Sequence, residues 1–420
     1  VLSVKRLDVP TLAWFGQKKL ELEFPESWNV SFLPMIGYEK PKVSDEEIKM
    51  ALREPIGSRS LAKIAEGKKE VAIVIDDMTR PTKAYQVLPY VLQELRSAGI
   101  SDDHIRFIMG GGLHGAWYRY DFAKKIGEEN VERYPVYNHN PFANCERVGE
   151  TSWGTPVEIN AEYNLCDLKI GIGVVVPHPM TGYGGGAKII LPGISSFETV
   201  YHNHVEVHSK NPCPTNDRRS FWGYFKGNVT RADIDEAGKI AGMDMKIDVL
   251  VNGFGDSSMV FAGDLQEEFL KAVEHAKNHY LTPSIPEDVD VIVANTYAKA
   301  NEATLALSNW NHKMKKNGVM VIIAQAPEGQ VTHYLYGKFG KKQVAPGNNI
   351  PSEIEFKKLI VFSEYKTPDP LLPITESKIV WVKTWKEVIE EIKSSFNYEP
   401  KVAVLPNAEI QCDEETLGRG

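Results

Sequence analysis

From residue 70 onward, short apolar runs alternate with segments of helical period, and nearly every apolar run ends on a glycine or a charged side chain. Residues 70–75, 104–109, 135–138 and 168–176 read as strands, and residues 85–97, 120–125 and 198–208 as helices. A chain that inserts a helix between successive strands pairs those strands in parallel, because a tight hairpin joins only antiparallel neighbours. The alternation therefore predicts an α/β fold built on a doubly wound parallel sheet.

At 420 residues the chain exceeds the size at which a single core keeps growing, which predicts two domains. Thr282-Pro283-Ser284-Ile285-Pro286 follows a helical run over 265–280 and precedes a strand over 289–294, so it marks the expected hinge. A second, smaller alternation follows, with a helix over 301–315, strands over 319–324, 359–362 and 378–382, and a helix over 385–396. The expected division is a larger domain over 1–281, a smaller α/β domain over 282–395, and a terminal segment over 396–420. The strand of that segment, 401–405, could return to either domain. Near the N-terminus, residues 19–24 and 28–33 have the pattern of short antiparallel strands, and Ser44-Asp45-Glu46-Glu47 opens a helix to about residue 53 with a capping box.

A formal charge of −8 argues against nucleic acid, since neutralising phosphates needs clustered Lys and Arg. The expected partner is a small molecule. No basic-then-apolar leader opens the chain, and its longest apolar stretch, 170–176, is far too short to cross a bilayer. Cys145, Cys166, Cys213 and Cys412 form no CxxC pair, which fits a reducing cytoplasm.

In open parallel sheets, ligands bind beyond the carboxyl ends of the strands, and three such junctions carry reactive side chains. The first is Asp76-Asp77-Met78-Thr79-Arg80-Pro81, although an aspartate beside a helix start is more often a cap than a catalyst. The second, Gly110-Gly111-Gly112-Leu113-His114, delivers an imidazole. The third runs from Pro177-His178 through Gly182, Gly184, Gly185 and Gly186 to Lys188, and His204 follows sixteen residues later. Glycines let backbone amides approach anionic oxygens. The stretch is not a Walker A loop, since Ala187 precedes Lys188 and Ile189 replaces the hydroxyl, and Pro192 excludes the dinucleotide fingerprint. Two imidazoles facing one substrate can alternate as base and acid, which inversion of a stereocentre requires. The other histidines His104, His139, His275, His279, His312 and His333 read as hydrogen-bonded structural residues. His204 and His208 stand at metal-ligand spacing on a helix, with His178 or His114 as a third ligand for zinc.

Taken together, the DDMTRP segment, the GGGLHG turn, the glycine stretch with its lysine, Pro192-Gly193 and Asn203-His204 resemble the lactate racemase family, whose members use a nickel-pincer nucleotide. The matching motifs lie between about residues 45 and 210. The resemblance implies a pyridinium mononucleotide, a thioamide and thiocarboxylate carrier of nickel, joined covalently to Lys188. Nickel would be held by a ring carbon, two sulfurs and His204. It implies His114 and His178 as the acid/base pair, Arg80 as the binder of the 2-hydroxy acid, and Asp77 as a helper positioning Arg80 or the cofactor. Thr79 and Gly182, Gly184, Gly185 and Gly186 would meet the cofactor, the glycines at its phosphate. By this likeness the C2 hydrogen leaves as hydride, a 2-keto acid forms transiently, and separate enzymes must make the cofactor. The implied architecture is two domains, each a Rossmann-like parallel or mixed sheet flanked by helices, with the active-site cleft between them.

Lactate-specific members carry Gln and Lys three residues apart where this chain offers Thr304 and Leu307, and glycines surround His114 in place of bulkier residues. The expected substrate is therefore longer or more polar than lactate, such as a sugar acid, with Asn295, Tyr297, Lys299, Asn301 and Glu302 as candidate contacts. Two other readings stay open: a zinc hydrolase on His178, His204 and His208, and a non-catalytic acid-binding protein of the same fold.

Overall fold

The computed structural model describes residues 4–211, 221–335, 356–365 and 379–417; Cys213 and Lys378, the first residue of the strand expected over 378–382, lie outside them. In chain order the strands are a hairpin of β1 (Val4–Thr11) and β2 (Lys18–Pro25), then β3 (Asn29–Phe32), β4 (Val71–Asp76), β5 (Ile105–Gly110) and β6 (Val136–Asn138). A second hairpin, β7 (Cys145–Glu150) and β8 (Pro156–Asn160), leads to β9 (Leu168–Val174), the two-residue pair β10 (Pro177–His178) and β11 (Gly182–Tyr183), β12 (Met245–Val251) and β13 (Ser257–Gly263). The remaining strands are β14 (Val289–Asn295), β15 (Met314–Ile323), β16 (Lys358–Phe362), β17 (Ile379–Val382) and β18 (Lys401–Leu405).

Two six-stranded sheets organise these elements. The first runs β13-β12-β9-β4-β5-β6, parallel except for the antiparallel edge strand β13. The second runs β17-β16-β15-β14-β18-β3 and is parallel throughout. Both central strands are buried on two faces, which is why β4 and β14 read as continuous apolar runs and not as alternating ones. Alternate residues still divide between the faces. Ile73, Ile75 and Phe107 join the core on one side of the first sheet, and Ala72, Val74 and Ile108 join the core on the other. In the second sheet, Ile292 and Ala294 face one core, and Val291 and Val293 the other.

Several elements differ from the sequence expectation for physical reasons. Residues 28–33 contribute β3, which pairs in parallel with β18, because period-2 alternation fixes which face a residue takes and not which strand it pairs with. The helix expected over 85–97 begins at Leu88, with Pro89 in its first turn and a 3₁₀ turn ahead of it. The run over 301–315 breaks into a 3₁₀ turn, a short helix Thr304–Trp310 and a second 3₁₀ turn, and β15 starts at Met314. The capping box forms as read: Ser44 Oγ accepts from Glu47 N, and Glu47 Oε2 accepts from Ser44 N at 2.8 Å.

Both ends of the chain cross between the sheets. β3 is the edge of the second sheet, and beyond β18 the chain returns to the core of the first, where Ile410, Cys412 and Leu417 are buried. Gln411 Nε2 fastens the crossing by donating to Leu33 O and Thr282 Oγ1. Among the described residues, no helix is long and apolar enough to cross a membrane.

Candidate active site

In the first sheet the chain passes from β4 outward to β5 and β6, then back to β9 on the other flank of β4. The loops after β4 and β9 thus diverge and leave a crevice at their carboxyl ends. A small cleft opens there, lined by Asp77, Arg80, His114, Gly185, Lys188 and Pro192, among others. The three junctions singled out in the sequence therefore meet at one sheet edge.

Asp77 and His114 form the best-defined pair. Asp77 Oδ2 lies 2.5 Å from His114 Nδ1, and Oδ1 accepts from the backbone and side chain of Thr79. Desolvation alone would raise the Asp77 carboxyl, but His114, Arg80 and Thr79 outweigh it and hold the group far below the usual carboxylate range. An ionised Asp77 keeps the proton of a neutral His114 on Nδ1 and turns its Nε2 lone pair outward. Arg80 Nη1 donates to Thr79 O, Thr79 Oγ1 and Glu302 Oε2, the last at 2.9 Å. Beneath it, Lys125 Nζ donates to Arg80 O at 2.8 Å and pairs with Asp76.

From the second sheet, the 3₁₀ turn Tyr297–Glu302, which follows β14, brings Glu302 against Arg80 and His114. Lys299 Nζ sits 2.8 Å from Glu302 Oε2, and Glu302 Oε1 lies 3.9 Å from His114 Nε2. Against the desolvation that would raise it, Glu302 is pulled down to about 2 by Lys299, Arg80 and His114.

His178 Nδ1 accepts from the Met180 amide at 3.2 Å, with Thr181 Oγ1 at the same distance, so the neutral ring carries its proton on Nε2. His114 and His178 are therefore held in opposite tautomers. Desolvation, with the positive charges of Lys188, Arg80 and Lys299, pushes His178 well below its ordinary value. The Lys188 amine is likewise driven far down by desolvation and by Arg80, Arg231 and Lys299, the direction that favours an amine nucleophile. His204 lies in a π-helical turn, His202–Val207, that replaces the second half of the helix expected over 198–208. Its Nδ1 is buried with no hydrogen-bond partner, which suits a nitrogen donor awaiting a soft or borderline metal. The donor set, a desolvated amine and an unpartnered imidazole nitrogen, fits a covalently tethered nickel group.

Other expectations fare differently. The glycine stretch is not an open cradle for phosphate: Gly184 N donates to Val176 O, and Gly186 N donates to Asp248 Oδ2. Gly182, Gly185 and Gly186 have positive φ, and a Cβ on them would strike Tyr224 O, Val175 and Arg231 respectively, so their lack of side chain serves packing. The zinc set does not assemble either. Among the described residues, His178, His204 and His208 do not bring three ligand atoms within 4.8 Å of one another, and His208 Nδ1 is 2.9 Å from Thr230 Oγ1. Asn295 and Tyr297 hydrogen-bond to backbone carbonyls, Asn295 to those of Pro10 and Pro406 and Tyr297 to that of Phe254, and Leu307 is buried in the core, whereas Lys299 pairs with Glu302 and Glu302 meets Arg80 and His114.

His333, read as structural from the sequence, belongs to the site. Its backbone bridges that of His114, Gly115 N donates to Thr332 O, and the two imidazoles meet edge to face with centroids 5.2 Å apart. Desolvation and His114 lower it to about 3. No local pattern marks His333, because a long-range backbone pairing places it.

Residues 15–213 match the lactate racemase N-terminal domain family. A lactate racemase from Thermoanaerobacterium thermosaccharolyticum is 28% identical over 332 residues, 77% of this chain and 76% of that protein. One from Lactiplantibacillus plantarum is 26% identical over 294 residues, 69% and 68% of the two chains. Among solved structures, the lactate racemase apoprotein from Thermoanaerobacterium thermosaccharolyticum superposes with a TM-score of 0.72 at 23% identity, covering 98% of this chain and all of that one. A protein from Thermotoga maritima follows with a TM-score of 0.63 at 18% identity, over 90% of this chain and 100% of the other.

Proposed function

This chain belongs to the lactate racemase family, and from that premise we propose that it is an isomerase that inverts C2 of a 2-hydroxy acid with the help of a nickel-pincer nucleotide on Lys188. What supports the reading is the nearness of a desolvated Lys188 amine to His178 and His204, the latter with an unpartnered Nδ1, beside the Asp77–His114 pair at the strand-end cleft.

Lys188 would hold the group covalently, and His204 Nδ1 would offer a ligand to its nickel. Bound there, the group would supply a reversible hydride acceptor, which avoids forming a carbanion beside a carboxylate. Arg80 is held by bonds from Nη1, so its Nε–Nη2 edge is the one presented to the substrate carboxylate as a planar fork. His114 Nε2 takes the hydroxyl proton from one face, with Asp77 stabilising the imidazolium that results. His178 Nε2–H would donate a hydrogen bond to the substrate oxygen from the other face, and the proton held on the His114 imidazolium returns to that oxygen when the hydride returns, so both rings end as they began. Lys299 and Glu302 stand beside Arg80 and His114, where lactate would leave only a methyl group, which favours a longer, more polar acid such as a sugar acid.

The test is co-expression with cofactor-making enzymes, then intact mass, peptide mapping, elemental analysis and a chiral assay over a panel of 2-hydroxy acids. A nucleotide-sized adduct on Lys188, nickel, and inversion of at least one polar 2-hydroxy acid are expected. Protein that carries the adduct and inverts none of them would end the reading. Lactate turning over as fast as aldonic acids would remove only the substrate preference.

A further inference from the structure

Building on the racemase reading, we infer that Glu302 selects the substrate at C3, accepting a hydrogen bond from a C3 hydroxyl and rejecting a second carboxylate. The two oxygens of Glu302 have different surroundings. Oε2 is engaged by Arg80 Nη1 at 2.9 Å and Lys299 Nζ at 2.8 Å. Oε1 points to the catalytic side, 3.9 Å from His114 Nε2, the nitrogen that would take the C2 hydroxyl proton. A substrate whose C2 oxygen reaches that nitrogen, and whose carboxylate lies on Arg80, places its C3 substituent beside Oε1.

The carboxylate is firmly placed. Asn301 Nδ2 donates to Met78 O on the loop that carries Arg80, Ala303 N donates to Gln330 Oε1, and Gln330 Nε2 donates to Ala300 O, so the turn is tied on both sides. Lys299 and Arg80 hold the Glu302 carboxyl at about 2, so it is ionised and an acceptor only. Opposite a methyl group, as in lactate, Oε1 would be desolvated with nothing to accept from. Opposite a carboxylate, as in malate, it would face a like charge in an enclosed site. A C3 hydroxyl satisfies it.

Sites built to bond a hydroxyl discriminate against the analogue lacking it by up to about 10⁴-fold. In the cofactor-loaded protein, kcat/KM for 2,3-dihydroxypropanoate should exceed that for lactate by roughly 100-fold or more, with malate slower than either. In Glu302→Gln the dihydroxy-over-lactate ratio should fall at least about tenfold, and malate should gain relative to lactate. Calorimetry on the same wild-type protein gives a readout independent of turnover, with tighter binding of 2,3-dihydroxypropanoate than of lactate expected. Equal kcat/KM for the two acids in the wild type, or an unchanged ratio in a folded Glu302→Gln protein, overturns the inference while leaving the racemase reading intact. Loaded protein that inverts no 2-hydroxy acid overturns both.

Discussion

The role proposed for His114 rests on Asp77 more than on its own position in the turn, because the carboxylate 2.5 Å from Nδ1 favours Nε2 as the nitrogen left for the cleft. Asp77→Asn keeps the shape and loses the charge. It should lower kcat by about 10²–10⁴-fold with a change of only a few degrees in melting temperature, measured by chiral assay and calorimetry. A second residue-scale consequence concerns acid. His139 and His279 are desolvated and held neutral, each with an ordinary value of 6.5 lowered to about 4, and each Nε2 bonds a backbone carbonyl. Because the unfolded chain takes up these protons near 6.5 and the folded chain only near 4, the unfolded state binds more protons in that interval, and stability falls with pH across it. Melting temperature should therefore decline steadily from about pH 7 to pH 4. His139→Gln should flatten the slope, and an unchanged slope would assign the acid loss to other groups.

At the scale of elements, the side chains that meet at the cleft were legible wherever they followed a strand directly. Asp77, Arg80 and His114 stand within a few residues of β4 or β5, and the rule that ligands sit at strand ends finds them. The glycines of 182–186 were legible as a special backbone and misleading as a ligand cradle, because sequence shows which amides could approach an anion and not which carbonyl or carboxylate already accepts from them. Gly186 tests this packing role. At φ +55°, a Cβ would lie 2.7 Å from Arg231 Nη2 and 2.8 Å from the Phe269 ring. Gly186→Ala should cost about 2–4 kcal/mol in denaturant unfolding, and a neutral result would mean that the turn relaxes freely. The π-helical turn at His204 had no sequence mark, since one extra residue in a helix changes its hydrogen-bond partners without changing its composition. Glu302 was readable as a candidate; its bond to Arg80, 222 residues away in the chain, was not.

For the whole molecule, the two alternating runs announced two α/β units, but the exchange of terminal segments stayed hidden. Residues 29–32 have the same alternation whether their partner is a hairpin neighbour or β18, and only tertiary pairing decides. The return of Ile410, Cys412 and Leu417 to the first core makes the stretch over 410–417 part of the half that holds the candidate site. Ile410→Ala should cost about 2–5 kcal/mol and lower the melting temperature of the whole chain in one transition. A separate early transition confined to the smaller unit would contradict that coupling.

The partnership of β3 with β18 sets a timetable for biogenesis. The strand over residues 29–32 waits for one made about 370 residues later before its edge is covered, so an incomplete nascent chain holds an open seam that chaperones must shield.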